Sequence, residues 1–310
     1  MTTSFGLHHI TAIASDPKKN YDFYTKVLGL RFIKKTVNFD DPTTYHFYYG
    51  DAVGSPGTAL TFFPHPGLPR GQAGLGQAVE IGFSIPQNAF SFWIDRFHQL
   101  GISFQGPETR FGEKVIRITD PDGLMLELIT VADPLPDTGW ETAGIPAEMA
   151  IRGFHSVTLW LDKPEKTTAL MTNYFGFKSV GVEESRERFS TGLPGVGQII
   201  DVRTLPGVWR GKPGAGTIHH VAVRAGNDDQ ELELRAALSD GGFHVTPVID
   251  RFYFHSVYFR ERNGILFELA TDNPGFDIDE PVESLGQTLQ IPPQYREHGE
   301  AIAKALPSLD

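Results

Sequence analysis

Two sets of residues in this sequence have the types and the spacing to hold a metal. His9, Glu80, His155 and His220 each stand near the start of an alternating apolar run, and Thr61, Glu127, Asp201 and Glu268 each stand in a later run of the same kind. The interval between the paired positions is nearly constant. All but Thr61 are His, Asp or Glu with apolar neighbours. A lone Glu on a strand ordinarily faces solvent, because a carboxylate is expensive to bury unless it is paired or coordinated. Recurrence in matched register argues against that reading for the set. The chain has no cysteine, which excludes disulfides, iron–sulfur clusters and thiolate metal sites. Any metal here is therefore held by His, Asp or Glu, and two His with one carboxylate around an open face is the arrangement of non-haem iron(II) oxygenases.

The residues just before the first set are His8, Val79, Phe154 and His219, a mixture with no common chemistry. Successive strand residues face opposite sides, so His8 and His9 are not expected to point inward together, nor are His219 and His220. The column that is polar in every copy takes the inward place, which assigns it to His9 and His220.

These residues belong to four copies of one unit, and such a repeat organises the chain. Four segments open alike: LHHITAIASD from Leu7, AVEIGFSIP from Ala78, GFHSVTLWLD from Gly153 and IHHVAVRAGND from Ile218. Each predicts a strand followed by a helix. In the first helix Asp16 reads as the N-cap, Pro17 as the first helical residue and Gly29 as the stop. The third repeats this grammar with Asp162, Pro164 and Gly176. The second, Asn88 to Leu100, and the fourth, Asp228 to Leu238, keep the apolar stripe with different caps. Three strand-like runs follow each helix, as in LRFIKKTVNF, TTYHFYYGD and GTALTFFP.

The expected class is thus α+β, with four βαβββ modules forming two paired, curved-sheet half-barrel domains. Residues 131–150 are rich in Pro, Gly and acids and read as a connection. The chain divides on this reading into a first pair of modules at 1–135, a linker at 136–149, a second pair at 150–275 and a tail at 276–310. The tail is expected to wrap the surface and end in a short amphipathic helix.

Composition bounds the function. Hydrophobic residues make up 40% and charged residues 21%, as in soluble globular proteins. The longest apolar runs are strand-sized, so no membrane-spanning helix is expected. The start, MTTSFGLHHITAIAS, lacks a basic segment followed by an apolar one, so a cytoplasmic protein is expected. With a net charge of −11 and no basic stripe, nucleic acid is not an expected partner. The 23 Phe residues suit a large core first and a pocket for a flat ligand second.

The repeat and its motifs resemble the glyoxalase/vicinal-oxygen-chelate superfamily, and more narrowly its hydroquinone ring-cleaving dioxygenases. The resemblance runs from about Leu7 to Gln294 and includes ETRFG at 108–112, RGFHS at 152–156, DRFYF at 250–254 and the SLG…IPPQ tail. It implies an iron(II)-dependent, extradiol-type opening of a hydroquinone- or catechol-like ring, with a small aromatic and dioxygen as partners. It also implies iron ligands at His9, His220 and Glu268 and accompanying roles for His8, Thr11, His219, Arg251 and Tyr258. Arg251 would stabilise oxyanion charge, and Tyr258 with His8 or His219 would move protons. His46, His65, His98, His244 and His298 lie outside the aligned columns and are read as non-ligands, while His255 stays open. Manganese(II) is the alternative metal, since zinc exchanges no electrons with dioxygen. A homo-oligomer is in keeping with this type.

Two rival functions share the fold: a glyoxalase-type isomerase or lyase, and a metal-free binding protein. The first calls for a fourth protein ligand where Thr61 stands, and the second for lost ligands. Pairing of the units is also open. Neighbouring units would gather His155, His220 and Glu268 with Asp201 nearby, whereas pairing the first with the fourth gathers His9, His220, Glu268 and Thr61. The second arrangement is favoured because only those two units carry a double His. It leaves Glu80, Glu127, His155 and Asp201 as a second metal site, a structural ion site or, preferably, a remnant that holds at most an adventitious ion.

Overall fold

The structure is a computed structural model that describes residues 6–132 and 139–309. The first unit contains β1 (Leu7–Ala14), α1 (Pro17–Asp22), β2 (Arg31–Val37), β3 (Tyr45–Gly50) and β4 (Ala59–Pro64). The second contains β5 (Gln77–Pro86), α2 (Phe90–Leu100), β6 (Gln105–Arg110), β7 (Glu113–Thr119) and β8 (Met125–Val131). The third contains β9 (Phe154–Leu161), α3 (Glu165–Asn173), β10 (Lys178–Glu183), β11 (Arg186–Ser190) and β12 (Ile199–Thr204). The fourth contains β13 (Thr217–Arg224), α4 (Asp228–Asp240), β14 (Ile249–Asp250), β15 (Phe254–Arg260) and β16 (Leu266–Pro274). A tail of short turns ends in α5 (Gly299–Ala305).

The fold is the α+β arrangement that the repeat predicts, two eight-stranded sheets of two units each. One runs β14-β15-β16-β13-β1-β4-β3-β2 and the other β10-β11-β12-β9-β5-β8-β7-β6. The first unit therefore shares a sheet with the fourth, and the second with the third. Each sheet draws strands from both sides of the connection near 136–149, of which 136–138 lie outside the described residues. We propose the spans 1–135 and 150–275 as halves of the sequence rather than independent folding units, because neither completes a sheet alone.

Local chemistry builds these elements as the sequence suggests, with two differences. The Asp16 carboxylate accepts from the Lys19 N–H and caps α1. The helix then widens into a π-turn over Phe23–Val27. In the third unit Pro164 precedes the helix and no side chain caps it, so Asp162 does not take the expected role. Along β3, alternation sends Tyr49 toward α1, where its hydroxyl donates to Asn20, and sends His46 and Tyr48 to the opposite face. Phenylalanines fill the core as the safer reading expects: Phe47, Phe62, Phe83, Phe97, Phe154 and Phe175 are fully buried.

The tail runs over the first unit. The buried Lys34 ammonium bonds Asp279 at 2.6 Å and Glu280 at 2.7 Å, and the Tyr45 hydroxyl donates to the Pro307 carbonyl. Among the described residues no helix is long and apolar enough to cross a membrane.

Candidate metal centre

Two β-bulges build the site. Where β1 pairs with β13, Leu7 faces Val223 and His9 faces Ala222, so His8 is an extra residue; Thr11 faces His220 and Ala12 faces Ile218, so His219 is another. A bulge re-aims the side chain it carries. His8 Nδ1 consequently lies 2.9 Å from His9 Nδ1, and His219 Nδ1 lies 2.8 Å from His220 Nδ1. This corrects the expectation from strict alternation, by which His8 and His219 would turn away from their neighbours. The two differ in setting: His8 is enclosed, while His219 reaches solvent. Burial pushes the His8 imidazole down to about 3, with His9 adding to the effect. Burial likewise pushes His219 down to about 4, followed by His220.

With Nδ1 of His9 and His220 turned to their neighbours, both Nε2 atoms face inward. They lie 3.2 Å apart, and Glu268 Oε2 is 3.2 Å from the first and 2.9 Å from the second. Glu268 is fully buried, and neither carboxylate oxygen has a hydrogen-bond donor of acceptable geometry among the described residues. Three ligand atoms thus converge on one buried point, and a divalent cation there would satisfy all three. Ligand atoms held at about 2.1 Å and about 90° around an ion stand about 3 Å apart, so the triangle fits a small divalent metal. Among the described residues this is the one group of three such ligand atoms within 4.8 Å. Burial alone would raise the Glu268 carboxyl, but the adjacent His9 and His220 rings hold it well below the usual carboxylate range.

A cavity of about 210 Å³ lies against this triangle, and His9, His220, Arg251, Tyr258, His46 and Tyr48 are among the residues that wall it. Tyr258 stands opposite Glu268 in the β15–β16 pairing, with its ring edge-on to His220. Arg251 places Nε 3.3 Å from the Tyr258 hydroxyl and Nη1 3.1 Å from Asp40. Thr11 lies between His220 and Thr61 in register and its hydroxyl is 2.7 Å from that of Thr61. The eight residues that the resemblance implies, His8, His9, Thr11, His219, His220, Arg251, Tyr258 and Glu268, are thus grouped in and around this centre. His255 is not: it turns outward and pairs with Asp228 on α4.

The profile of the Glyoxalase/Bleomycin resistance protein/Dioxygenase superfamily matches residues 6–128 and 153–269. The chain belongs to this superfamily. It is 42% identical over 303 residues to MhqO of Bacillus subtilis (strain 168), designated a candidate ring-cleaving dioxygenase, covering 98% of this chain and 96% of that one. It is 32% identical over 300 residues to the chlorohydroquinone/hydroquinone 1,2-dioxygenase of Sphingobium indicum, covering 93% and 92%. A crystal structure of a candidate dioxygenase from Bacillus subtilis superposes with a TM-score of 0.95 at 41% identity, covering 100% of this chain and 99% of that one.

The second sheet repeats the strand arrangement, and among the described residues it gathers no three metal-ligating side chains. There Gly82 faces Ser156 and Phe83 faces Phe154, so His155 is itself the bulged residue. Ser156, not His155, occupies the place equivalent to His9, and the column aligned from sequence slips by one residue in the third unit. His155 instead bonds Glu113 at 3.0 Å, and its sheet holds neither His220 nor Glu268. Arginines neutralise the remaining acids: Arg186 bonds Glu80 at 2.6 Å, Arg188 bonds Asp201 at 3.0 Å and Arg110 bonds Glu127 at 2.7 Å. Of the readings open for this set, a remnant held by hydrogen bonds fits, because guanidinium groups already supply the positive charge. A larger cavity of about 360 Å³ beside Glu80 and Glu127 faces these paired acids and gathers no ligand triangle.

Sequence reasoning missed His46 and Tyr48. His46 lies outside the ligand triangle and lines the cavity, with Nε2 3.0 Å from the Thr61 hydroxyl and Nδ1 2.9 Å from the Tyr48 hydroxyl. Burial, with the His9 and His220 rings nearby, holds it well below its ordinary value. Aligning YHFYYG with FHSVYFR, the same strand of the first and fourth units, would have found Tyr48 as the counterpart of Tyr258.

Proposed function

We propose that this chain is an iron(II)-dependent dioxygenase that opens the ring of a hydroquinone- or catechol-like aromatic in extradiol fashion. The observation that carries the reading is the buried convergence of Glu268 with His9 and His220 beside a ring-sized cavity that the two histidines help to wall. The relatives named as ring-cleaving dioxygenases support it. Iron(II), or manganese(II) in its stead, would supply the electron exchange with dioxygen that no side chain here provides.

The chain's own groups supply binding and proton handling. The Arg251 guanidinium, beside the Tyr258 hydroxyl, stabilises the oxyanion of an ionised substrate hydroxyl. Burial raises the Tyr258 phenol above its ordinary value, so Tyr258 stays protonated and donates. His219, open to solvent, exchanges a proton with water, whereas the enclosed His8 fixes the ring of His9. Thr11 holds Thr61, whose hydroxyl is engaged by Thr11 and His46 and offers no fourth ligand. That leaves an open face and disfavours the isomerase. We further propose a cytoplasmic protein with a symmetric homo-oligomeric assembly.

Anaerobic loading with iron(II) followed by oxygen uptake with hydroquinone tests the assignment. Stoichiometric uptake with a ring-opened product is expected. Full turnover by a zinc-loaded, iron-free preparation would sink it.

A further inference from the structure

Cross-strand register singles out one position in all four units: the residue that faces the metal-column residue of the closing strand. It is Tyr48 opposite Thr61, Arg117 opposite Glu127, Arg188 opposite Asp201 and Tyr258 opposite Glu268. In the second sheet this residue engages its partner directly, Arg117 at 3.3 Å and Arg188 at 3.0 Å. In the first sheet both are tyrosines, and both wall the same cavity. Tyr258 belongs to the Glu268 side. Tyr48 belongs to the Thr61 side, which adds no His, Asp or Glu to the ligand triangle among the described residues.

The Tyr48 hydroxyl is held in place. It shares a hydrogen bond of 2.9 Å with His46 Nδ1, His46 Nε2 is 3.0 Å from Thr61 Oγ1, and Thr61 Oγ1 is 2.7 Å from Thr11 Oγ1. All four side chains are buried. Both nitrogens of a neutral imidazole are used, one as donor and one as acceptor. Either tautomer leaves the Tyr48 oxygen one free hydrogen-bonding valence: a lone pair if it donates to His46, a proton if it accepts. Tyr48 is among the residues that wall the cavity, so the remaining valence is available to a ligand bound there.

We propose that Tyr48 is the hydrogen-bond partner of a substrate hydroxyl remote from the metal, and that His46 is the positioning residue that aims Tyr48. This rests on the dioxygenase reading above and assigns two residues to its substrate site.

The test is a binding cycle on iron(II)-loaded protein without oxygen, with hydroquinone and phenol as the probes, since phenol lacks only the distal hydroxyl. Tyr48→Phe is expected to weaken hydroquinone about tenfold, the worth of one hydrogen bond, and phenol by less than about twofold. His46→Leu should give the same selective loss, His46→Asn should restore most of it by keeping a polar atom at the Nδ1 place, and the Tyr48→Phe/His46→Leu double variant should be no weaker than Tyr48→Phe. A purely structural role would weaken both ligands alike, and that result, or no change at all, overturns the proposal. Oxygen uptake by the wild type is scored separately. Uptake without Tyr48-dependent discrimination overturns this inference and spares the dioxygenase reading; a wild type that binds neither probe overturns both.

Discussion

His9 Nε2 and His220 Nε2 lie 3.2 Å apart although the residues are separated by 211 positions in the chain. Antiparallel pairing of β1 with β13 closes that distance, and the bulges at His8 and His219 set the angle at which the rings meet. The candidate centre thus depends on the sheet that joins the first unit to the last.

Arg251 walls the cavity beside Tyr258, and its hydrogen bonds among the described residues go to Tyr258 and Asp40 rather than to the ligand triangle. Arg251→Met is therefore expected to lower kcat/KM for hydroquinone about 100-fold, the typical worth of one oxyanion donor. Iron content should be unchanged. Loss of iron together with activity would move Arg251 from substrate binding to support of the centre.

Burial raises the Glu231 carboxyl on α4 to about 7. A carboxyl whose folded pKa exceeds its unfolded value binds more protons in the folded state between the two values. Stability is then full below the unfolded pKa and falls as pH rises through the folded one. Glu231→Gln removes this loss, so urea unfolding should show it more stable than the wild type by about 2 kcal/mol near pH 8 and nearly equal near pH 4. An equal difference at both pH values would contradict the account.

The structure also shows what a linear sequence carries. The four units were legible because alternation, capping residues and glycine stops recur at fixed spacing, and the double His pointed to the pairing of first with fourth. A bulge has no such signature: the extra residue at His8, His219 or His155 looks like any other strand residue, and one miscounted position put His155 in the place of Ser156. Cross-strand partners were equally hidden. The arginines that neutralise Glu80, Glu127 and Asp201 lie on other strands, one to three places away in the same sheet, and His46 and Tyr48 lie on the strand beside Thr61; sheet order and register decide such contacts.

Lys34 was not legible either, because the acids that hold it belong to the tail. Its ammonium is fully buried between Asp279 and Glu280, so removing it strands two negative charges. Lys34→Ala should cost about 3 kcal/mol or more in urea unfolding, and the Lys34→Met/Glu280→Gln variant should recover part of that. A loss below about 1 kcal/mol would make this a solvated pair of little consequence.

The account turns on which histidine binds the metal, and iron analysis of two variants after anaerobic loading decides it. His9→Ala and His155→Ala are both checked for folding by circular dichroism and then for iron per chain. A ligand lost from a three-ligand site should abolish stoichiometric binding, whereas loss of His155 removes its bonds to Glu113 and Ser156 and about 1–3 kcal/mol of stability. The prediction is an iron-free, folded His9→Ala and a His155→Ala that keeps one iron. A folded, iron-free His155→Ala beside a fully loaded His9→Ala would contradict the assignment of His9, His220 and Glu268.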